Sequence, residues 1–246
     1  MRFVFALLFS LFVAQPLLAE EALNSGVVID IQKENMEEIV TGWTVADVEN
    51  LHNQNFDFNQ KDAGDNTILF YALTHNRDLA VAQKIIEYGA DVNELSNTGM
   101  LPINVATSKA NELQLQIMMM KTLGLETGEP KILEQLEKNV FFEMERMFEM
   151  AKMLIDNGAD VNKESALGTP LMNAVTNLWN VDIVELLVKS GADLNKQDKD
   201  GRTALFYAYS SGNDDFVTGL IESGADVTIK DNDGLTYSEV EKINIE

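Results

Sequence analysis

The amino-acid sequence predicts an all-α solenoid of stacked helix-turn-helix units, with short β-hairpin-like turns and one irregular, extended helical unit. Two observations support this prediction. The string Gly-Ala-Asp begins at Gly89, Gly158, Gly191 and Gly224, so its copies are spaced by 69, 33 and 33 residues. Each copy closes an apolar run of helical periodicity, and so short a helix pair buries its apolar face only against a neighbouring unit.

The residues around each copy predict where the helices end and begin. The Gly suits the left-handed conformation that follows a helix C-terminus, because glycine carries no Cβ. Twelve residues after Gly191 and Gly224, Thr203 and Thr236 open further apolar runs, and Thr169 opens another after a one-residue deletion. A Thr in this place is expected to cap the next helix.

Two acidic stretches resemble the start of a calcium-binding loop: "NKQDKDGRTALF" from residue 195 and "TIKDNDGLTYSE" from residue 228. With Gly at position 6, such a loop needs an oxygen ligand at position 1 and Glu at position 12. Lys196 and Tyr207 stand there in the first stretch, and Ile229 and Val240 in the second. The sequence therefore favours structural turns over a metal site. The turn acids are Asp198, Asp200, Asp231 and Asp233.

The 69-residue step between Gly89 and Gly158 has two interpretations. In the first, one unit carries two extended helices, from Pro102 to about residue 123 and from residue 131 to about 156, so that residues 108–150 form an irregular helical insertion. In the second, a degenerate extra unit is hidden there, with Gly124 at its helix end. The apolar stripe after residue 131 contains no Gly or Pro, which favours the single extended unit.

The N-terminal residues have the pattern of a secretory signal: Arg2, an apolar run to Leu18 and a small residue at Ala19, followed by acids. We expect cleavage after Ala19 and a periplasmic or secreted protein, with an uncleaved anchor as the alternative. The predicted domains are the signal peptide at 1–19, a lead-in at 20–43, the repeat domain at 44–242 and a tail at 243–246. No Cys is present, so disulfides do not contribute.

Composition narrows the possible functions. The chain has 40 Asp and Glu against 18 Lys and Arg, a formal charge of -22. It should repel nucleic acids and anionic membranes, whereas a basic protein partner fits. It contains no glycine-rich phosphate loop, and its two histidines, His52 and His75, lie in different units. We therefore expect no cofactor, no metal and no enzymatic activity, with a carboxylate-based hydrolase as the alternative.

The runs "TILFYA", "TPLMNA" and "TALFYA", with the Gly-Ala-Asp copies, resemble the ankyrin repeat family over roughly residues 44–242. The family signature runs Asp-x-x-Gly-x-Thr-Pro-Leu-His-x-Ala, then a second helix, then Gly-Ala-Asp-Val-Asn. Its His, which ties one turn to the next, is replaced here by Phe70, Asn104, Met172 and Phe206. We expect apolar packing to replace part of that network. The resemblance implies a protein-protein interaction module that binds through turn tips and first helices.

The resemblance places the partner-binding candidates on two surfaces. The turn tips carry Asp65, Asn66, Met100, Leu167, Arg202 and Leu235, and the first helices carry Thr74, His75, Asn177 and Ser210. Trp179 is a candidate anchor in the link between two helices. The irregular region offers a further candidate surface, although residues of this kind are more often buried in a core. Its members are Met118, Met119, Met120, Phe141, Phe142 and Phe148.

Together with the signal, these repeats resemble exported, periplasmic ankyrin repeat proteins of Gram-negative bacteria. Some of those are associated with protection from peroxide beside a catalase, and others with neutralising secreted toxins. The resemblance implies a scaffold or stabiliser of a resident protein, or an immunity-type inhibitor whose acidic face plugs a basic toxin. The sequence leaves the oligomeric state open.

Overall fold

The computed structural model describes residues 35–108, 130–176 and 181–240. The expectations for the signal peptide, Met118, Met119, Met120, Asn177, Trp179 and the tail lie outside these ranges. Two compact units divide the chain, Met1–Ala90 and Asp91–Glu246. The first contains α1 (Met36–Thr41), α2 (Val45–Asn53), α3 (Ile68–His75) and α4 (Leu79–Glu87). The second contains α5 (Pro102–Ser108), α6 (Pro130–Asp156), α7 (Pro170–Ala174), α8 (Val181–Lys189), α9 (Ala204–Ser210) and α10 (Asp214–Glu222).

The helices of the first unit pack around aliphatic side chains. α3 contacts α1 and α4, and α2 contacts α4. The buried core includes Val40, Leu51, Leu69, Leu73 and Ile85. The buried Asn76 ties α1 to this core, because its Nδ2 donates hydrogen bonds to the carbonyl oxygens of Val40 and Trp43 at 2.8 and 2.9 Å. Helical packing therefore starts within the segment assigned to the lead-in, before Thr44.

The second unit stacks its first helices against one another. α7 contacts α5 and α9, α6 packs against α5 and α8, α8 against α7, and α10 against α9. Small side chains line the first helices, so their backbones approach closely. Ala106, Ala174 and Ala208 are all 0% exposed. Isolated antiparallel bridges, Ser165 with Gly168 and Lys230 with Thr236, form the hairpin-like turns. The all-α repeat fold predicted by the sequence is confirmed.

Glycine ends the predicted second helices in the left-handed conformation. The backbone φ is 94° at Gly89, 89° at Gly158, 90° at Gly191 and 103° at Gly224. Any other residue would place its Cβ close to the backbone at such a φ, whereas glycine adopts it without strain. The sequence prediction for these four helix ends is confirmed.

Threonine caps two of the first helices, but the caps predicted at Thr203 and Thr236 are wrong. Within the chain described up to residue 240, no helix follows Thr236, whose Oγ1 donates to Glu239 Oε2 at 2.8 Å. Thr67 Oγ1 accepts a hydrogen bond from the Phe70 N–H at 3.3 Å, and Thr169 Oγ1 accepts one from the Met172 N–H at 3.2 Å. Thr203 occupies the same place before α9, but its side chain makes no capping hydrogen bond. The Phe206 N–H donates instead to the backbone oxygen of Thr203 at 3.0 Å.

Apolar packing replaces the family histidine in part. Met172 and Phe206 are 1% and 2% exposed, and Phe70 is half-buried. Asn104 is fully buried but polar, and its Oδ1 accepts a hydrogen bond from the Leu101 N–H at 2.8 Å. At this slot a side-chain hydrogen bond therefore survives, within its own turn.

The asparagine that follows Gly-Ala-Asp-Val or Gly-Ala-Asp-Leu links one repeat to the next. Asn162 Nδ2 donates to the Gly191 oxygen at 3.0 Å, while Asn162 Oδ1 accepts from the Asp193 N–H at 2.7 Å. Its amide thus satisfies both an acceptor and a donor in the loop that follows the next second helix. We call this arrangement the asparagine clamp.

The same clamp joins the two loops on either side of the irregular region. Asn93 Nδ2 donates to the Gly158 oxygen at 3.0 Å, and Asn93 Oδ1 accepts from the Asp160 N–H at 2.8 Å. The two loops are therefore direct neighbours. α6 also runs for 27 residues without a break. These contacts support the extended unit; residues 109–129, in its first half, lie outside the described ranges.

The turns at residues 198–202 and 231–235 approach each other closely at Gly201. The Asn232 N–H donates to the Asp200 oxygen at 3.0 Å. A Cβ built on Gly201 would lie 2.8 Å from Asn232 Oδ1 and 2.9 Å from Asn232 N. Gly191 has a similar φ of 90°, but nothing lies within 4 Å of its Cβ position.

We predict that Asn162→Ala destabilises the protein by about 1–2 kcal/mol, because two inter-repeat hydrogen bonds are lost. Thr228→Ala is the matched control, since Thr228 occupies the same slot but bonds within its own loop, to Asp226. This control should change stability by less than about 0.5 kcal/mol. Urea unfolding followed by circular dichroism measures both; equal losses would contradict the clamp.

We predict that Gly201→Ala costs about 3 kcal/mol, since it adds a clash with the next turn to the strain of a positive φ. Gly191→Ala should cost only about 1 kcal/mol, because strain alone acts there. Thermal and urea unfolding of the two variants separates the cost of the clash from the cost of the backbone strain. A Gly201→Ala loss no larger than the Gly191→Ala loss would show that the turns are free to move apart.

Candidate functional site

The acidic turn residues organise the turns through backbone hydrogen bonds. Asp198 Oδ1 accepts from the N–H groups of Asp200 and Arg202, both at 2.9 Å. Asp231 Oδ1 accepts from those of Asp233 and Leu235, both at 3.0 Å. Short acceptors of this type fix a tight turn by bonding their own backbone. The structural role predicted for the turn acids is confirmed for Asp198 and Asp231.

Across residues 35–108, 130–176 and 181–240, no group of three or more His, Asp or Glu side chains is arranged to hold a metal ion. Asp231 is 6% exposed, and its Oδ2 lies 3.6 Å from Nε of Arg202. This carboxylate therefore joins its own turn to the preceding one.

Tyrosines on two first helices each support a turn through an aspartate, a contact that was not predicted from the sequence. The Tyr207 hydroxyl donates to Asp198 Oδ2 at 2.5 Å, and the Tyr71 hydroxyl donates to Asp62 Oδ2 at 2.8 Å. Burial, followed by the hydrogen bond to Asp198 and its charge, raises the pKa of Tyr207 well above its usual range. The sequence contains a pattern that indicates this contact, since each tyrosine lies nine residues after its aspartate.

Neighbouring turn tips of the second unit are joined in pairs. The Ala166 N–H donates to the Gly99 oxygen at 2.8 Å, and Asn232 Nδ2 donates to the Lys199 oxygen at 2.9 Å. The candidate residues at these tips form a surface that we call the turn ridge: Met100, Leu167, Arg202 and Leu235. Leu167 is 43% exposed and Leu235 38%, while Met100 and Arg202 are half-buried.

The tip candidates of the first unit differ from each other. Asp65 is exposed, with a left-handed φ of 61°. Asn66 is 8% exposed, and its Nδ2 donates to the Tyr71 hydroxyl at 3.2 Å. The expectation that Asn66 faces a partner is corrected, because its amide is buried against the tyrosine that supports the turn.

The first-helix candidates are half-buried and bonded within their own unit. Thr74 Oγ1 donates to the Phe70 oxygen at 2.8 Å, and Ser210 Oγ donates to the Tyr207 oxygen at 3.2 Å. His75 Nε2 lies 3.2 Å from the Glu37 carboxylate. Their hydroxyl and imidazole groups already have partners within the unit. They are therefore less available for binding another protein than the exposed leucines of the turn ridge are.

A polar link between α5 and α7 was not predicted. Asn173 Nδ2 donates to Thr107 Oγ1 at 2.5 Å and to Ser108 Oγ at 3.0 Å. The two hydrogen bonds join residues that are 66 and 65 positions apart in the sequence. No local pattern in the sequence pairs such distant hydroxyl and amide groups.

The aromatic candidates on α6 divide between core and surface. Phe141 and Phe142 are each 64% exposed, whereas Phe148 is half-buried. Burial in the core, which the sequence favoured for this group, is wrong for the first two. The buried stripe of α6 contains Met147 and Met150 instead, both 0% exposed.

These elements define a repeat protein whose distinctive surfaces are turn tips and helix faces. The family model described as ankyrin repeats (3 copies) matches residues 143–231. The match supports the ankyrin repeat family and runs from the second half of α6 to the end of α10 and the start of the last turn. Ankyrin repeats generally bind other proteins and are generally non-catalytic. A comparison with curated proteins found no similar sequence, and within the described ranges no helix is long and apolar enough to cross a membrane.

We predict that Tyr207→Phe destabilises the protein by about 1 kcal/mol at neutral pH, because Asp198 loses a hydrogen-bond donor. The pKa of the folded tyrosine is raised from 10.0, so its stabilisation is complete below pH 10 and decreases as the pH rises further. The stability gap between wild type and variant should therefore narrow above about pH 10.

Urea unfolding at pH 7 and at higher pH, with absorbance titration of the tyrosines, measures this gap. Tyr237→Phe is the control, since it keeps the ring that packs edge-on against Tyr209 at 5.5 Å. A Tyr207→Phe variant as stable as this control would show that the Asp198 contact contributes nothing.

Proposed function

We propose that this protein is a non-catalytic interaction module of the bacterial periplasm that scaffolds or stabilises a partner protein. The observation that carries this proposal is the turn ridge, where Leu167 and Leu235 project from turns that hydrogen bonds hold rigidly. Exposed apolar side chains on a rigid support bind with a small loss of conformational entropy.

The rigidity of the ridge comes from short local bonds at each tip. Ser165 Oγ donates to the Gly168 oxygen at 2.9 Å and accepts from the Leu167 N–H at 3.0 Å. Asp231 holds the Leu235 N–H in a similar way, at 3.0 Å. A partner therefore meets preformed tips rather than loops that it must order.

The periplasmic location rests on the N-terminal sequence. Arg2, the apolar run that ends at Leu18 and the small Ala19 fit an export signal, and the acids after it fit a cleaved product. The absence of Cys is compatible with any compartment, so it does not bear on this point.

An immunity-type inhibitor of a basic secreted toxin is the alternative. The formal charge of -22 favours it, as do exposed carboxylates at the tips such as Asp65, Asp200 and Asp233. Charge of this density steers a cationic partner and makes association sensitive to salt. A scaffold that binds mainly through Leu167 and Leu235 should be less sensitive.

We predict that Leu167→Ser with Leu235→Ser weakens capture of the partner about tenfold or more, because apolar anchors dominate most interfaces. The full chain is expressed with its own N-terminal segment in a Gram-negative host and purified from the periplasm. Its mature N-terminus is expected at Glu20. Val181→Ser is the matched control, since Val181 is 50% exposed on α8, away from the ridge.

The capture is repeated with increasing salt. Affinity that falls steeply between about 0.05 and 0.5 M salt selects the toxin-inhibitor alternative. A partner held equally by the wild type, the control and the leucine variant would contradict a role for the turn ridge. Recovery of the chain only from the cytoplasm would contradict the periplasmic assignment.

A further inference from the structure

The outward face of α6 carries two phenylalanines, Phe141 and Phe142, that are exposed to solvent. The buried stripe of this helix comprises Val140, Met147, Ala151 and Leu154. At 100° per residue, Phe141 and Phe142 lie about 120° and 140° away from Met147 on either side. Both rings therefore stand on the face that points away from the core of the second unit.

These rings are the most exposed large apolar side chains in the described ranges. Each is 64% exposed, against 50% for Val181 and 43% for Leu167. Their centroids are 6.2 Å apart with an interplanar angle of 70°, an edge-to-face pair. Two adjacent aromatic rings in water expose apolar area that a partner would bury favourably.

The charges around the rings indicate what kind of partner fits. Between residues 134 and 149 the helix carries five acids and two bases. The acids are Glu134, Glu137, Glu143, Glu145 and Glu149. Both bases bond within the helix: Lys138 Nζ donates to Glu134 at 2.7 Å, and Arg146 Nη1 donates to Glu143 at 3.2 Å. The aromatic pair is thus framed by an excess of negative charge.

We propose that the face of α6 around Phe141 and Phe142 docks a basic amphipathic helix of another protein. Apolar side chains of that helix would cover the two rings, and its Lys or Arg side chains would lie beside exposed Glu145 and Glu149. This inference rests on the proposed function, because both require a protein partner. It adds a second contact surface, since α6 carries none of the turn-ridge residues.

Charge disfavours a second copy of the chain as the occupant. Two such faces would bring like charges together, and each chain carries a formal charge of -22. The same excess of carboxylates repels an anionic membrane surface. A cationic helix is the occupant that gains from both the apolar rings and the charge around them.

The test uses a synthetic helical peptide of about 18 residues with Leu on one face and Lys on the other, as such helices dock through one apolar face. It is titrated into the ¹⁵N-labelled protein purified from the periplasm. We expect saturable binding, amide shifts over residues 137–149, and weaker binding as the salt concentration rises. Phe141→Ser with Phe142→Ser should weaken the affinity about tenfold or more, whereas Leu167→Ser should not.

Because both phenylalanines are exposed, the double variant should keep the wild-type circular dichroism spectrum and unfolding midpoint. Unchanged affinity in that variant, or shifts confined to the turn ridge, would overturn the inference. So would self-association in sedimentation, or binding to phosphatidylcholine vesicles, that disappears in the double variant. If the peptide fails while the leucine variant still loses its captured partner, the proposed function stands and only the α6 site is lost.

Discussion

The stacking of the repeats depends on an asparagine side-chain amide that hydrogen-bonds to the loop of the next repeat. In each clamp an asparagine donates to a glycine oxygen and accepts from the N–H of the aspartate two residues later, as Asn162 does at Gly191 and Asp193. These backbone groups lie just past a helix, where no intrahelical partner remains for them. The clamp therefore provides hydrogen-bond partners for backbone groups past a helix end, and it also sets the spacing of the stack.

Much of the fold could be predicted because its determinants are local. A positive φ at Gly158 and a capping hydroxyl at Thr169 follow from neighbouring residues. Whether a side chain is buried against a segment distant in the sequence could not be predicted in this way. Asn66 has the same sequence context as an exposed tip, yet Tyr71 covers it. Phe141 looks like a core residue, yet the phase of α6 turns it outward.

The candidate surfaces also combine features that neighbouring residues determine with features that depend on packing between distant segments. Asp198 and Asp231 are used inside the turns, so the acidic stretches give rigidity and charge rather than ligands. On the tips, the apolar side chains of Leu167 and Leu235 stay exposed. Their exposure follows from tip geometry that the repeat predicts, whereas the extended unit has no such template and its surface is visible only in the structure.

The clamp from Asn93 to Gly158 also bears on the length of the irregular unit. Its two loops meet as direct neighbours although 65 residues separate the bonded atoms along the chain. The array therefore fixes nothing about the length of the stretch between Ser108 and Pro130. A change in the length of that stretch would leave the clamp between Asn93 and the Gly158 loop in place. The length of this unit and the spacing of the stack are therefore set by separate parts of the sequence.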